Sequence, residues 1–184
     1  MDEDCVKKKK DAIDAALKYL AHRDRTCQEI RLHLSEKGYD KEEIEKAVTY
    51  LFDMKYLDDA AYVEKYMEYA VSKGKGRAKI KHELKEKGID KDLLEDLLCS
   101  SESLTGQNER KRAYAEAVKI LGNTKLKFST DCDDDLDNDF NKKMLKYKEM
   151  QKVKAKVGRR LESLGYSRDV IFTTIEEIFS GNPQ

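Results

Sequence analysis

The sequence has 184 residues, of which 40% are charged and 39% are hydrophobic, and it contains one proline and no tryptophan. This composition excludes a thick core and a wide sheet buried on both faces, and it favours amphipathic helices with exposed polar sides. The 37 basic residues balance the 37 acidic residues. Attraction to a charged partner must therefore come from local patches rather than from the net charge.

The four cysteines and the hydropathy of the chain limit its environment. The cysteines show no CxxC or CxxxC spacing, which disfavours both a structural zinc site and a disulfide framework. No apolar run reaches the length of a transmembrane helix, and the first residues lack the hydrophobic segment of a signal peptide. We therefore expect a reduced, cytoplasmic protein that does not associate with membranes.

The N-terminal part of the chain predicts three helices in a row. Thr26 followed by Glu29 predicts a capping box at the start of the second helix. Gly38 predicts the end of that helix, because glycine adopts the left-handed backbone conformation without a Cβ penalty. Asp40 followed by Glu43 predicts another capping box, which opens the third helix. The unit is helix, capped helix, glycine turn and helix.

The same pattern recurs twice farther along the chain. Residues 34–48 and 84–98 are identical at seven of fifteen positions, and residues 161–175 keep the leucine, the glycine, the capping residue and the apolar spacing. The second turn glycine, Gly88, follows the first after 50 residues, and the third, Gly165, follows after a further 77. Such a repeat indicates stacked helical units, with extra residues inserted in the third.

The sequence therefore predicts an all-α fold of three tandem three-helix repeats. A single unit of this size has a marginal core, so we expect the repeats to pack end to end into an elongated, curved rod. The predicted divisions are an N-terminal tail at 1–10, repeat 1 at 11–56, repeat 2 at 57–99, a linker at 100–108, and repeat 3 at 109–180 with an acidic insertion near 122–141.

The acidic insertion invites comparison with a calcium loop. Asp131, Asp133 and Asp135 match the first three ligand positions of an EF-hand. The sixth position is Leu136 instead of glycine, and the twelfth is Lys142 instead of glutamate. We therefore expect a solvated acidic loop, no metal site and no other cofactor.

No group of residues has the pattern of a catalytic site. His22, His33 and His82 each lie in a charged helical segment without a nucleophile motif nearby, and the GKGRAK stretch lacks the spacing of a phosphate-binding loop. Asp58 and Asp59 stand at the start of a predicted helix, where capping explains them better than acid–base chemistry. We expect the protein not to be an enzyme.

The charges are segregated along the chain. Residues 36–68 carry a net charge of −5, residues 70–91 carry +5, and residues 141–168 carry +8. This pattern suits docking onto a large polyanion or a charged filament, although ordinary solvated helix faces are the alternative. The residues expected to contact DNA phosphates or an acidic filament surface are Lys73, Lys75, Arg77, Lys79, Lys81, Lys152, Lys154, Lys156, Arg159 and Arg160. A second candidate surface for a partner is the acidic face around Asp58, Asp59 and Glu64.

The segment at 56–90 resembles the hallmark segment of the RecX family, bacterial regulators of the RecA recombinase. The likeness rests on an aromatic-Leu-Asp-Asp start, an aromatic helix, a Gly-x-Gly turn and an Ile-x-x-x-Leu-x-x-x-Gly-Ile pattern. The first unit and the late GRRLESLGYSRDVI stretch also resemble RecX segments, so the likeness spans residues 11–179. This chain has Ala70 and Lys75 where the family usually has an arginine and an aromatic residue. The matching residues of the hallmark segment are Leu57, Asp58, Asp59, Tyr62, Gly74, Gly76, Ile80, Glu83, Leu84, Lys87, Gly88 and Ile89.

The resemblance implies a non-enzymatic regulator of homologous recombination and DNA repair in the SOS response. It implies a monomer that binds in the groove of the RecA–single-stranded-DNA filament, with contacts to single-stranded or double-stranded DNA. Limited filament extension or promoted disassembly would lower strand exchange, ATP hydrolysis and the co-protease function of RecA. Two alternatives stay open, namely a stand-alone nucleic-acid-binding helical protein and a purely structural helical adaptor.

Overall fold

The computed structural model of the chain describes residues 3–123 and 139–180, with side chains over 11–122 and 143–180. These residues form nine α-helices, one 3-10 helix and no strand, which confirms the predicted all-α fold. The helices are α1 (Glu3–Leu20), α2 (Cys27–Glu36), α3 (Lys41–Asp53), α4 (Asp59–Ser72), α5 (Arg77–Glu86), α6 (Lys91–Ser100), α7 (Gly106–Asn123), α8 (Asp139–Ser163) and α9 (Arg168–Ser180), and the 3-10 helix is Glu102–Leu104.

Some helix boundaries differ from the sequence-based expectations. Helix α1 begins at Glu3 and so covers most of the segment predicted as an N-terminal tail. The 3-10 helix and the first residues of α7 fall in the predicted linker at 100–108. The acidic run at 131–138, with the candidate calcium ligands Asp131, Asp133 and Asp135, lies outside the described residues. The proposed repeat boundaries stay a prediction.

The second helix of each repeat ends in the same turn. Gly38, Gly88 and Gly165 have φ values of +86°, +75° and +82°, which confirms the predicted glycine turns. In each turn the residue after the glycine donates its amide to the carbonyl five residues earlier, as in a Schellman motif. These bonds run from Tyr39 to Leu34, from Ile89 to Leu84 and from Tyr166 to Leu161, each at 3.2 Å.

The helix starts that were predicted from capping residues are also found. Thr26 and Glu29 form a capping box, in which the Glu29 amide donates to Thr26 Oγ1 at 3.1 Å and the Thr26 amide donates to Glu29 Oε2 at 3.2 Å. Asp40 and Glu43 form the second capping box. Asp90 Oδ1 accepts hydrogen bonds from two amides in the first turn of α6. Local sequence therefore sets the start of these helices.

The chain divides into two compact units. The first consists of the described residues up to Ala70 together with Ile80–Ser101, and the second consists of Val71–Lys79 together with the described residues from Glu102 onwards. In the first unit, α1, α2 and α3 pack against one another. Fully buried side chains of this unit include Ala16, Ile30, Leu34, Leu51, Val63, Leu84 and Leu94.

The second unit is built on α7, α8 and α9, which pack pairwise against one another. Its core consists of small and branched side chains on one face of the helices, together with Leu164 and Tyr166 from the turn between α8 and α9. The buried members are Ala113, Ala117, Val157, Leu161, Leu164, Tyr166 and Val170. The short segment Val71–Lys79 belongs to this unit although the rest of the second repeat does not.

In each unit, a carboxylate near the start of one repeat accepts a hydrogen bond from the first amide of the second helix of the preceding repeat. The Cys27 amide donates to Asp59 Oδ1 at 2.9 Å in the first unit. The Arg77 amide donates to Glu109 Oε1 at 2.9 Å in the second unit. Cys27 and Arg77 begin α2 and α5, so the carboxylates satisfy amides that lack a partner within the helix and complement the helix dipole. Each residue of the second pair lies 50 positions after its counterpart, so the contact is part of the repeat.

Cys27 should be protected from thiol reagents in the folded protein. Burial, and next the charge of Asp59, raise the pKa of the Cys27 thiol to about 11, whereas Cys99 is exposed. In a Cys5→Ser, Cys132→Ser variant at pH 8, we expect Cys99 to react roughly 100-fold faster than Cys27, because the thiolate is the reactive form. Mass spectrometry of alkylated peptides measures both rates. Urea that unfolds the first unit should equalise them, and equal rates without urea would contradict the buried placement.

Candidate nucleic-acid interface

The turn that carries several candidate basic residues is fixed within the second unit. The Gly76 amide donates to the Leu164 carbonyl at 2.7 Å. The Tyr166 hydroxyl donates to the Gly74 carbonyl at 2.9 Å, and Tyr166 is buried. Burial is the main reason that the pKa of the Tyr166 hydroxyl is raised, which keeps the donor protonated. These bonds hold the turn against the third repeat.

Helix α8 separates its apolar and basic residues onto different faces. Val153 and Val157 are buried, one turn apart, on the face that meets the core. Lys152, Lys156 and Arg159 are exposed. They follow at i, i+4 and i+7, so they lie along one face of the helix.

Arg160 is also exposed and lies next to Lys156 at i+4. We call Lys152, Lys156, Arg159 and Arg160 the α8 row. Glu149, one turn before Lys152, and Glu162 are the acids of this stretch. The basic residues therefore dominate the exposed surface of the helix.

Lys79 extends the α8 row beyond the end of the helix. Its ammonium donates to the Ser163 carbonyl at 2.7 Å, and Ser163 lies one turn after Arg159 on the same face. At 1.5 Å per residue, the distance along α8 from Lys152 to Ser163 is about 16 Å. At about 3.4 Å of helix axis per phosphate of one strand, that length corresponds to roughly five base steps of B-form DNA. The arrangement can follow a nucleic-acid backbone.

Two candidate basic residues do not lie in this row. The Lys154 ammonium lies 5.2 Å from the centre of the Phe179 ring, on the side of α8 that faces α9. Lys81 belongs to the first unit and forms an ion pair with Glu95. The structure therefore does not group either residue with the α8 row.

The remaining basic candidates lie in or beside the turn of the second unit. Lys73 is exposed, while Lys75 and Arg77 are half-buried. Since Arg77 begins α5 and its amide is bound by Glu109, its backbone position is fixed by the fold. The turn thus places three further cations in the same unit as the α8 row.

The acidic candidates have roles in helix capping. Asp58 Oδ1 accepts the Ala61 amide at 2.9 Å, so it caps α4. Asp59 binds the start of α2 through the Cys27 amide. These contacts bear out the capping interpretation of the pair. Glu64 is exposed on α4, and a partner-binding role for the three acids stays a prediction.

Two contacts at this site were not predicted from the sequence. Glu109, which is 8% exposed, was not singled out, although its position 50 residues after Asp59 is visible in the sequence. The structure shows that the Lys79 ammonium binds the Ser163 carbonyl, while the expected contact of Lys79 with a partner stays a prediction. Comparing each contact with its copy in the next repeat would have identified the role of Glu109.

The described residues contain neither a membrane-spanning helix nor a metal-binding group. No helix among them combines the length and the apolar character that crossing a membrane requires. No group of three or more His, Cys, Asp or Glu side chains within the described ranges is placed to hold a metal ion.

Comparison with known proteins identifies the family. Residues 12–51 match the family model described as RecX, first three-helix domain, and residues 58–98 match RecX, second three-helix domain. Regulatory protein RecX of Clostridium botulinum (strain Eklund 17B / Type B) is 31% identical over 172 residues, which cover 91% of this chain and 70% of the relative. The chain belongs to the RecX family. Regulatory protein RecX of Legionella pneumophila (strain Corby) is 30% identical over 169 residues, covering 92% of this chain and 95% of the relative.

Solved RecX structures share the fold. The crystal structure of RecX from Lactobacillus salivarius has a TM-score of 0.71 at 24% identity, covering 94% of this chain and 97% of that chain. A crystal structure of regulatory protein RecX has a TM-score of 0.68 at 20% identity, covering 99% of this chain and 79% of that chain. The predicted RecX resemblance is confirmed, and the chain is a regulatory protein of RecX type.

Proposed function

We propose that this RecX-family protein is a non-enzymatic regulator of homologous recombination and DNA repair that binds RecA–single-stranded-DNA filaments. It inhibits RecA activity by limiting filament extension or by promoting filament disassembly. It acts as a monomer in the cytoplasm, in the SOS response. Family membership supports the regulatory role, and the α8 row is the observation that supports contact with the filament.

The α8 row supplies the attraction to the polyanion. Four exposed cations, with Lys79 at the end of the row, lie on a helix whose opposite face is anchored in the core of the second unit. Contacts of lysine and arginine with phosphates position a protein on nucleic acid without reading its sequence. This suits a partner whose DNA sequence varies while its backbone charge is constant.

The turn and the neighbouring cations of the second unit add to the same surface. Lys73, Lys75 and Arg77 contribute either to phosphate contacts or to contacts with acidic residues of RecA. Lys81 and Lys154 form further contacts outside the row. Substituting these residues and measuring the affinity for naked DNA and for filaments distinguishes those that contact DNA from those that contact RecA.

The proposal predicts that binding to filaments is stronger than binding to naked single-stranded DNA and that both depend on salt. Fluorescence anisotropy with labelled DNA, bare or coated with RecA, gives the affinity over a range of salt concentrations. Each phosphate contact contributes about −0.7 to the slope of log affinity against log salt for a single strand. Four or five contacts therefore predict a slope of about −3 for naked DNA.

The two alternatives give different results in the same measurement. Equal affinity for filaments and for naked DNA would contradict filament specificity and would favour a stand-alone nucleic-acid-binding protein. A slope near zero with both partners would contradict phosphate contact and would favour a structural adaptor.

A further inference from the structure

The first unit contains a Lys–Gly turn that receives the start of another helix. The Thr26 hydroxyl donates to the Lys87 carbonyl at 2.7 Å. The Lys87 ammonium lies 3.3 Å from Glu29 Oε1. Burial of Lys87 lowers its pKa, but Tyr62 and Glu29 together raise it by more, so the pKa of Lys87 is raised overall. The turn therefore recognises both polar members of a Thr-x-x-Glu capping box.

Close packing over the glycine completes this contact. A Cβ atom built on Gly88 would lie 2.3 Å from Cγ of Gln28, so no larger residue leaves room for the incoming helix. Gln28 is the third residue of the Thr-x-x-Glu box. The absence of a side chain at the turn is thus a requirement for docking the helix start.

Among the residues that the structure describes, no incoming helix meets the same turn of the first repeat. Lys37 and Gly38 lie 50 residues before Lys87 and Gly88, and both are exposed. A Cβ atom on Gly38 would meet no atom of the described residues within 4 Å. In the described part of the chain, no group donates a hydrogen bond to the Lys37 carbonyl.

A preformed cavity of about 550 Å³ adjoins this turn. Lys37 and Tyr39 line it from the turn, and Tyr19 and His33 line it from α1 and α2. The Tyr19 and His33 rings stack with their centres 3.9 Å apart, and the Arg25 guanidinium lies 3.9 Å from the centre of the Tyr19 ring. The stacked groups give the cavity an ordered wall.

We propose that the Lys37–Gly38 turn and its cavity are a docking site for the N-terminal turn of a helix in a partner protein. The partner helix begins with a Ser/Thr-x-x-Glu capping box. Its hydroxyl donates to the Lys37 carbonyl, and its glutamate pairs with the Lys37 ammonium, as Thr26 and Glu29 do at Lys87.

The cavity carries charges of both signs. Asp11 and Asp14 line it from α1, together with Lys18 and Lys37. Lys37 is the cation next to the turn, so the site accepts the glutamate of the capping box there, and it does not require further acids in the first turn of the partner helix.

A second copy of this chain is not the occupant that the described residues support. Thr26 and Glu29 are already engaged by Lys87. The other capping box uses Asp40, whose carboxylate has no hydroxyl to donate. The chemistry of the turn instead matches a free Ser/Thr capping box on another protein.

The test uses the full chain labelled with ¹⁵N and a lactam-bridged helical peptide that begins Ala-Thr-Ala-Gln-Glu, which contains the Thr-x-x-Glu capping box. Circular dichroism first establishes that the peptide is helical. We expect saturable amide shifts at Gly38 and Tyr39. Replacing the peptide threonine by valine should weaken binding at least tenfold, because the donor to the Lys37 carbonyl is removed. A helical peptide that causes no saturable shift, or shifts residues elsewhere, would overturn the proposal.

Two variants of the protein make the test specific. In Gly38→Asn, the new residue tolerates positive φ, and its side chain occupies the space where the peptide would dock. We therefore expect a folded variant that binds the peptide at least tenfold more weakly. Lys37→Glu should do the same, and Lys91→Glu, an exposed charge reversal in the same unit, should bind normally. Unchanged binding by Gly38→Asn and Lys37→Glu would overturn the site. None of these residues belongs to the α8 row, so the outcome is independent of filament binding.

Discussion

Replacing Gly76 by alanine is expected to destabilise the second unit by about 2–3 kcal/mol. A Cβ atom on Gly76 would lie 2.5 Å from the carbonyl oxygen of Gly165 and 2.7 Å from the Tyr166 amide nitrogen. Both are backbone atoms, so no side-chain rotation relieves the clash. The turn must move away, which breaks the hydrogen bond from the Gly76 amide to the Leu164 carbonyl.

Urea unfolding of the two variants Gly76→Ala and Gly106→Ala tests this expectation. Gly76 does not have positive φ, so alanine there would otherwise stabilise the chain by reducing the entropy of the unfolded state. Gly106 also lacks positive φ, and a Cβ atom on it would meet no atom within 4 Å in the part of the chain that the structure describes. Gly106→Ala should therefore be neutral or slightly stabilising. Equal effects of the two substitutions would contradict the close packing at Gly76.

The helices and turns of this protein could be predicted because the signals that set them are local. A capping box such as Thr26 with Glu29 needs four consecutive residues, and a glycine such as Gly38 ends a helix by its own conformational freedom. The helix, the turn glycine and the following cap recur in the same order in all three copies, so each copy supports the assignment of the others. The start of α1 lacks such a signal, and α1 begins at Glu3, within the segment 1–10 that the sequence-based division placed in an N-terminal tail.

The contacts between distant segments could not be derived from local patterns. Lys79 and Lys81 are two residues apart in one basic run, so their side chains point about 200° apart around α5. One binds the Ser163 carbonyl in the second unit, and the other pairs with Glu95 in the first. A count of charges in the run cannot separate them. Helical periodicity alone places Lys152, Lys156 and Arg159 on one face. This part of the candidate site could therefore be predicted from the sequence.

Reversing two charges of the α8 row is expected to weaken filament binding about 25-fold at 0.1 M salt. The variant is Lys152→Glu with Lys156→Glu, and both side chains are exposed. A slope of about −0.7 per contact makes each lost phosphate contact worth roughly fivefold at that salt concentration. The salt slope should become shallower by about 1.4 because two contacts are lost. Anisotropy measured with preformed filaments reports both quantities.

A second double variant with the same change in net charge distinguishes direct contact by the α8 row from long-range attraction. Lys41→Glu with Lys91→Glu changes the net charge by the same amount at exposed positions in the first unit. If long-range attraction to the polyanion were the cause, both double variants would lose affinity equally. Direct contact by the α8 row predicts a loss for Lys152→Glu with Lys156→Glu alone, with unchanged helicity in both proteins. Because Val153 and Val157 anchor the opposite face of α8 in the core, the two substitutions alter the charge of the row without altering how the helix is held.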